Sequence, residues 1–285
     1  ILAISPMPSG EDIAYGGTFS VCGDVTVGNF ALYRPSTNTW RALRQDIPLV
    51  RDLLVFDGDL YAAVDAGISS ADSGVLRLNS TTGMWTQIGV TNDASMALGI
   101  FNNRLHVAGE FTEVDGVSAS GIARLEGDAW LPLGSGLSGA QFSGRAITST
   151  ANRLVVGGVF STAGGVAASN IAAWNGSVWS SLGLGAANGV DDDVLDLATI
   201  GNDVYVAGRF DNAGGQAASG IARWNGSAWA SLGVGVDNGV AGTAIALSAN
   251  GNNLHVGGQF STAGGVAAEN VARWNHASQT WFAMG

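Results

Sequence analysis

The chain has 285 residues, of which only 12% are charged, and its formal net charge is -11, with no lysine among its basic residues. So little positive charge leaves no patch for phosphate backbones or anionic membranes, which argues against nucleic-acid partners. No run of about 18 apolar residues is present, so membrane insertion by a helix is not expected. Cys22 is the single cysteine, which excludes an intrachain disulfide.

The first residues carry no signal for targeting. The chain starts at Ile1 without an initiator methionine and without a charged segment followed by an apolar one. This start is typical of a mature or excised piece of a longer protein.

One pattern then recurs six times along the chain. Each copy ends on tryptophan, two further residues, an aliphatic residue and usually glycine, as in WSSLG from Trp179 and WASLG from Trp229. A glycine-rich strand end precedes it, such as GGVF ending at Phe160, followed by a segment such as IARW ending at Trp224. The tryptophans lie 45 to 52 residues apart, at Trp40, Trp85, Trp130, Trp179, Trp229 and Trp281. The copies occupy about residues 1–46, 47–92, 93–141, 142–190, 191–240 and 241–285.

Each copy is predicted to form four short strands. In the fifth, VLDLAT from Val194 is followed by a turn, by the alternating segment VYVAGRF, by IARWN, by an Asn-Gly turn and by AWASLG. Four strands in a repeat of this length are typical of a propeller blade, which buries both faces only by stacking on its neighbours. We therefore predict an all-β fold, a single six-bladed β-propeller over 1–285 with four antiparallel strands per blade.

The repeat resembles that of kelch-type propellers. Its Gly-Gly closes the second strand, and an aromatic residue and then tryptophan follow; Tyr33 and Trp40 have the kelch spacing of six intervening residues. Tryptophan in place of the usual tyrosine and an Ala-Gly-Gly loop depart from kelch. The pattern is also similar to Gly-Gly-x-Phe repeats of secreted bacterial and fungal cell-surface proteins. That resemblance implies an extracellular or cell-surface location.

The glycines of FSTAGGVAA, which occurs twice in the chain, could cradle a phosphate or serve the fold. Strand signals follow them, no Lys-Ser/Thr pair is present, and Ala-Gly-Gly recurs in several copies. We interpret them as a loop geometry that each blade needs. The tryptophans, present in every copy, are interpreted as core.

No catalytic residue, metal ligand or cofactor is predicted. His106 and His255 occupy one repeat position in copies three and six, where other copies have Ala, Tyr or Val, and no zinc-ligand spacing is present. The acidic run at 191–193 matches no calcium-loop signature. Arginines that recur at one third-strand position are interpreted as structural; they are Arg77, Arg124, Arg223 and Arg273.

Binding is expected where the copies differ. The position after the second-strand glycine is polar in five of the six copies and is Val159 in the fourth. The polar residues at this position are Thr18, Asp65, Glu110, Arg209 and Gln259. The connections between blades also vary, and they contribute Arg51, Arg145 and Asp192 to the candidate binding residues. Drift at tolerant exposed positions is the alternative explanation.

The sequence favours a non-catalytic interaction or scaffold propeller that binds a protein or glycan through one loop face. One alternative is a structural subunit that self-assembles into a surface array or filament. The other is a glycan-binding lectin or a glycan-active enzyme, which needs clustered carboxylates or unpaired aromatic residues in a pocket.

Overall fold

The computed structural model describes residues 2–43, 46–67 and 72–284, except for the side chain of residue 186. Arg44, which ends the WRALR segment, and Gly285, which ends WFAMG, lie outside the described residues. The chain divides into two compact units, Ile1–Leu133 and Gly134–Gly285.

The first unit contains three antiparallel sheets whose four strands pair in chain order, and we number them sheets 1 to 3. The strands of sheet 1 are Ala3–Pro6, Ile13–Gly16, Phe30–Arg34 and Thr39–Arg41. Those of sheet 2 are Leu49–Phe56, Asp59–Asp65, Gly74–Asn79 and Met84–Val90. Those of sheet 3 are Ser95–Phe101, Arg104–Gly109, Ile122–Glu126 and Ala129–Pro132.

The second unit repeats this arrangement in sheets 4 to 6. The strands of sheet 4 are Ser143–Thr150, Arg153–Val159, Ile171–Trp174 and Trp179–Ser181. Those of sheet 5 are Val194–Ile200, Asp203–Gly208, Ile221–Trp224 and Trp229–Ser231. Those of sheet 6 are Val240–Asn250, Asn253–Ala263, Val271–Asn275 and Thr280–Ala283. A short 3-10 helix, Gly185–Ala187, connects sheets 4 and 5. The predicted all-β class and four-stranded antiparallel sheets are confirmed.

Small two-stranded hairpins extend from the link between the second and third strands. The hairpin strands are Val21–Cys22 with Val25–Thr26, Glu113–Val114 with Val117–Ser118, Thr162–Ala163 with Val166–Ala167, and Asn212–Ala213 with Gln216–Ala217. In sheet 6 the long second strand pairs with Val266–Ala267 in the same way. Leu137–Ser138 adds a third strand to the hairpin of sheet 4. For sheet 2, residues 68–71 of this link lie outside the described part of the chain.

The Ala-Gly-Gly motif forms the tip of the hairpins in sheets 4, 5 and 6. Gly164 and Gly165 have φ of +58° and +79°, the conformation of a two-residue hairpin turn that L-residues with a side chain rarely adopt. A Cβ on Gly164 would lie 2.2 Å from Cδ1 of Trp179. The first glycine therefore serves both the turn and the packing of the repeat tryptophan.

Neighbouring sheets within each unit share apolar cores. One core joins sheets 5 and 6 through residues such as Ile221, Val256 and Phe260, and others lie between sheets 4 and 5, 1 and 2, and 2 and 3. Most repeat tryptophans are buried, with Trp130 only 1% exposed, whereas Trp40 and Trp229 are half-buried. The second strands of sheets 2, 4 and 5 are buried at nearly every residue, so both of their faces pack against the protein.

A tryptophan-to-carbonyl hydrogen bond recurs between neighbouring sheets. Trp229 Nε1 donates to the backbone oxygen of Leu182 at 2.7 Å, and Leu182 belongs to the WxxL segment of the preceding sheet. The same bond joins Trp130 to Ile88 and Trp281 to Leu232, each at 2.7 Å. The recurring WxxL segment thus supplies a donor to the sheet before it and an acceptor to the sheet after it.

Candidate binding surface

Two ends can be distinguished on every sheet. We call the loop end the one where the second strand leads to the third and where one sheet connects to the next. The turn end carries the tight turns between strands one and two and between strands three and four. Because the strands are antiparallel and pair in order, both kinds of loop-end connection fall at the same end of a sheet.

The predicted binding residues at the position after the second-strand glycine all lie at loop ends. Four are exposed, namely Thr18, Glu110, Arg209 and Gln259, whereas Asp65 and Val159 are half-buried. Gln259 lies within a strand because the second strand of sheet 6 continues into its hairpin.

Asp65 is paired with Arg51. Both Nε and Nη2 of Arg51 donate to Oδ2 of Asp65, at 3.1 and 2.5 Å, and the Gly67 amide donates to Oδ1 at 2.8 Å. Burial opposes the ionisation of this carboxyl group, but these donors hold the pKa of Asp65 below its ordinary value. The two side chains therefore neutralise each other and stabilise the end of sheet 2.

The expectation that Arg51 and Arg145 lie in loops between blades is wrong. Arg51 lies within the strand Leu49–Phe56 and Arg145 within Ser143–Thr150. Each is the residue at which the pairing register shifts, between Val50 and Asp52 and between Gly144 and Ala146. A β-bulge leaves one residue unpaired and changes the direction of its side chain. Arg51 and Arg145 therefore reach the carboxylates of Asp65 and Asp193 although both arginines lie within strands.

A second charged cluster joins sheets 4 and 5. Arg145 Nη1 lies 2.7 Å from Oδ2 of Asp193, and Arg209 Nη1 lies 3.4 Å from the same oxygen. Asp192, the predicted binding residue, is exposed, and its Oδ1 accepts the backbone N–H of Asp193 at 2.7 Å. The sequence therefore predicted Asp192, whereas its neighbour Asp193 is the residue that forms the ion pairs.

The carboxylates of the acidic run at 191–193 bind other groups of the protein itself. Asp191 accepts the backbone N–H groups of Asp211 and Asn212, at 3.0 and 2.9 Å, and a side-chain bond from Asn212 at 2.6 Å. Burial raises its pKa, but these hydrogen bonds outweigh burial and hold the pKa below its ordinary value. Among the described residues, no group of three or more His, Cys, Asp or Glu side chains is placed to hold a metal ion.

Three of the predicted residues are free to meet a partner. Thr18, Glu110 and Gln259 are exposed, and within residues 2–43, 46–67 and 72–284 their side chains form no ion pair or hydrogen bond. Loop-end depressions lie beside Asp65 and beside Val159, the apolar residue at the same repeat position in sheet 4. One of about 470 Å³ is lined by Asp65, and one of about 480 Å³ is lined by Val159.

The histidines and Cys22 lie apart from these residues. His106 is 2% exposed and its Nδ1 lies 3.0 Å from the backbone oxygen of Arg104. Burial lowers the pKa of His106 to about 4. His276 Nδ1 lies 2.6 Å from the hydroxyl of Tyr205, and Cys22 is buried beside Val27.

Comparisons with known proteins support the propeller architecture. A family model described as "Domain of unknown function (DUF5122) beta-propeller" matches residues 102–128. The structure is similar to the crystal structure of the tricorn protease, with a TM-score of 0.54 and 14% sequence identity over 99% of this chain. The chain spans 26% of the length of that protein, and a likeness at this identity shows the fold alone. The search of curated proteins finds no match.

The all-β chain therefore has the architecture of a β-propeller. Within the described part of the chain, we find no helix whose length and apolar character suit it to crossing a bilayer.

Proposed function

We propose that this chain is a kelch-like, six-bladed propeller without catalytic activity that binds a protein or glycan through its loop ends, outside the cell or at its surface. The observation that carries the proposal is the contrast between a repeated framework and the unpaired polar side chains of Glu110 and Gln259 at one repeat position. The sheets supply a rigid support, and loops on such a support are where binding residues concentrate.

The physical basis of this contrast is packing. Framework positions are buried between sheets, where a change of volume costs free energy, so the copies share small glycines and large tryptophans. The residue after the second-strand glycine escapes this constraint in several sheets, because its side chain reaches solvent. Glu110 and Gln259 supply a charged acceptor and a neutral amide, which a polar partner can recognise by hydrogen bonding.

The number of blades can be tested by X-ray crystallography of the purified protein, which counts the blades directly. We expect six blades in a closed ring, one for each repeat of the sequence. A structure with another number of blades, or with an open ring, would contradict this part of the proposal.

The binding proposal is tested with a matched pair of variants on a glycan array and a protein microarray. Glu110→Ala/Gln259→Ala removes two loop-end side chains that make no described contact. The control, Asp128→Ala/Asn252→Ala, removes one acidic and one amide side chain, both exposed, at the turn end of the same two sheets, 3 and 6. We expect the parent and the control to bind the same array members, and the loop-end variant to lose them at an unchanged melting temperature. Equal binding by all three proteins would refute the proposal.

A further inference from the structure

Sheet 4 departs from sheets 2, 3, 5 and 6 at a buried cross-strand pair near its turn end, where sheet 1 also has an apolar pair, Ala14 with Leu32. In sheets 2 and 5 a tyrosine of the second strand pairs with an arginine of the third, Tyr61 with Arg77 and Tyr205 with Arg223. Sheets 3 and 6 pair histidine with arginine at the same place. Sheet 4 instead pairs Val155 with Ala173. Two large side chains are thus replaced by two small apolar ones.

The charge at the start of the second strand is inverted in the same sheet. Asp59 forms an ion pair with Arg77 in sheet 2, and Asp203 forms one with Arg223 in sheet 5, at 3.5 Å. The equivalent residue of sheet 4 is Arg153, and the equivalent of the arginine is Ala173. Within the described residues, Arg153 is half-buried and forms no ion pair. Sheet 4 therefore carries a cation at the position where sheets 2 and 5 carry the carboxylate, and it lacks the arginine that pairs with that carboxylate in those sheets.

A cavity of about 320 Å³ occupies the space left by the small pair, between sheets 4 and 5. Its apolar wall includes Val155 and Ala173 of sheet 4 and Val204 and Trp224 of sheet 5, all less than 9% exposed. The volume lies at the lower end of the range for pockets that hold small molecules. An apolar cavity of this size favours a ligand with an apolar body.

The rim supplies donors for a negatively charged group. Arg153 is joined there by Asn152 and Asn225, and the lining contains no carboxylate. Asn225 Oδ1 already accepts the backbone N–H groups of Ser227 and Ala228, at 3.0 and 2.8 Å. Its NH₂ group is therefore the part that can serve a ligand, as a donor. The neighbouring Asp203 is neutralised by Arg223 and does not repel an anion.

We propose that this cavity binds a small organic carboxylate with an apolar body. The carboxylate pairs with Arg153, which has no ion-pair partner among the described residues, and the apolar part fills the space left by Val155 and Ala173 against Trp224. A guanidinium suits this role because it stays charged and donates several hydrogen bonds in a fixed plane. The site lies at the turn end of the sheets, so it is independent of the proposed loop-end function.

The test uses 3-phenylpropionate and its neutral amide as probes in isothermal titration. The parent protein should bind the carboxylate at least about tenfold more tightly than the amide, because a hydrogen bond to a charged group exceeds a neutral one by this order. Arg153→Gln should remove the preference for the carboxylate. Arg104→Gln changes the equivalent residue of sheet 3, which pairs with Glu126, and should leave binding unchanged.

A second variant tests the cavity itself. Val155→Tyr fills the cavity with the tyrosine that sheets 2 and 5 carry at this position, without adding a charge, and should abolish binding of both probes while the melting temperature is maintained. Three results would overturn the proposal: no saturable binding of 3-phenylpropionate by the parent protein, unchanged binding by Val155→Tyr, or a carboxylate preference that persists in Arg153→Gln.

Discussion

Trp229 Nε1 donates a 2.7 Å hydrogen bond to the backbone oxygen of Leu182, in the sheet that precedes its own. The indole thus packs within its own sheet and donates to the preceding one, so a single side chain links two repeats. The same oxygen also accepts the Gly189 amide at 2.9 Å, so loss of the indole donor removes one of its two hydrogen bonds and the one that joins the two sheets. The bond gives a physical reason for a tryptophan, rather than phenylalanine or leucine, at the start of the WxxL segment.

The most buried of these tryptophans provides the first prediction. Trp130→Phe keeps most of the apolar volume but removes the donor to Ile88, so the free energy of unfolding should fall by about 1–3 kcal/mol. Trp130→Ala also leaves a cavity and should cost about 3–5 kcal/mol. Urea denaturation followed by circular dichroism measures both. Equal stabilities of the parent protein and Trp130→Phe would show that the bond contributes nothing.

The two hairpin glycines should respond differently to alanine. At Gly164 both a positive φ and a clash with Trp179 oppose a Cβ, whereas at Gly165 the φ is also positive but no atom lies within 4 Å of a Cβ. Gly165→Ala should therefore cost about 1–2 kcal/mol from backbone strain alone. Gly164→Ala should cost about 1–3 kcal/mol more from overpacking. Thermal and urea denaturation of both variants provide the comparison, and the reverse order would contradict the assigned role of Gly164.

Asp52 should make the protein more stable in mild acid. Its Oδ2 accepts the Leu98 amide of the next sheet, and its Oδ1 accepts the Leu53 amide, each at 2.8 Å. Although part of the residue meets solvent, burial of the carboxyl group raises its pKa to about 6, above the ordinary value. The folded state thus favours the neutral carboxyl group. The resulting contribution of Asp52 to the free energy of unfolding is present below about pH 4 and is lost as the pH rises through 6.

The measurement compares the free energy of unfolding of the parent protein and Asp52→Asn from pH 4 to pH 7. The advantage of the parent over the variant should shrink by about 2 kcal/mol across this range, an order-of-magnitude figure from the pKa difference. A constant difference, or one that grows with pH, would show that Asp52 is not held in this way. Histidine titration over the same range is common to both proteins and cancels in the difference.

His106 should have the opposite effect on stability. Burial lowers its pKa to about 4 from an ordinary value near 6.5, so its contribution is complete above about pH 6.5 and is lost as the pH falls toward 4. His106→Tyr places there the residue that sheets 2 and 5 carry. We expect the loss of stability between pH 6.5 and pH 4.5 to be smaller in this variant by about 2 kcal/mol. An identical acid profile in the two proteins would contradict the buried, neutral histidine.

The sequence predicted the repeated elements more fully than the interactions between them. The strand segments of the fifth copy lie close to where the periodicity placed them, because buried strands and Asn-Gly turns are local signals. The bulges that turn Arg51 and Arg145 toward the loop ends depend on register with the second strand, which a single strand does not encode. The link between Arg145 and Asp193 joins two sheets and could not be read from either segment alone.

The cavity in sheet 4 was detectable in principle. Val155 and Ala173 occupy positions that carry tyrosine or histidine and arginine in four other copies, and Arg153 occupies a position that carries aspartate in three. When the repeats are compared one position at a time, each change resembles ordinary sequence variation. Only the cross-strand pairing shows that the small residues face each other and that the arginine lies beside them.

The central claim is that the loop ends form the binding surface of this propeller. Its most direct test is amide hydrogen exchange of the parent protein with and without a saturating amount of the partner that the arrays identify. The account predicts slower exchange in the loop-end segments around Thr18, Glu110 and Gln259, with exchange at the turn ends unchanged. Protection confined to the turn ends, or none in the presence of bound partner, would contradict it.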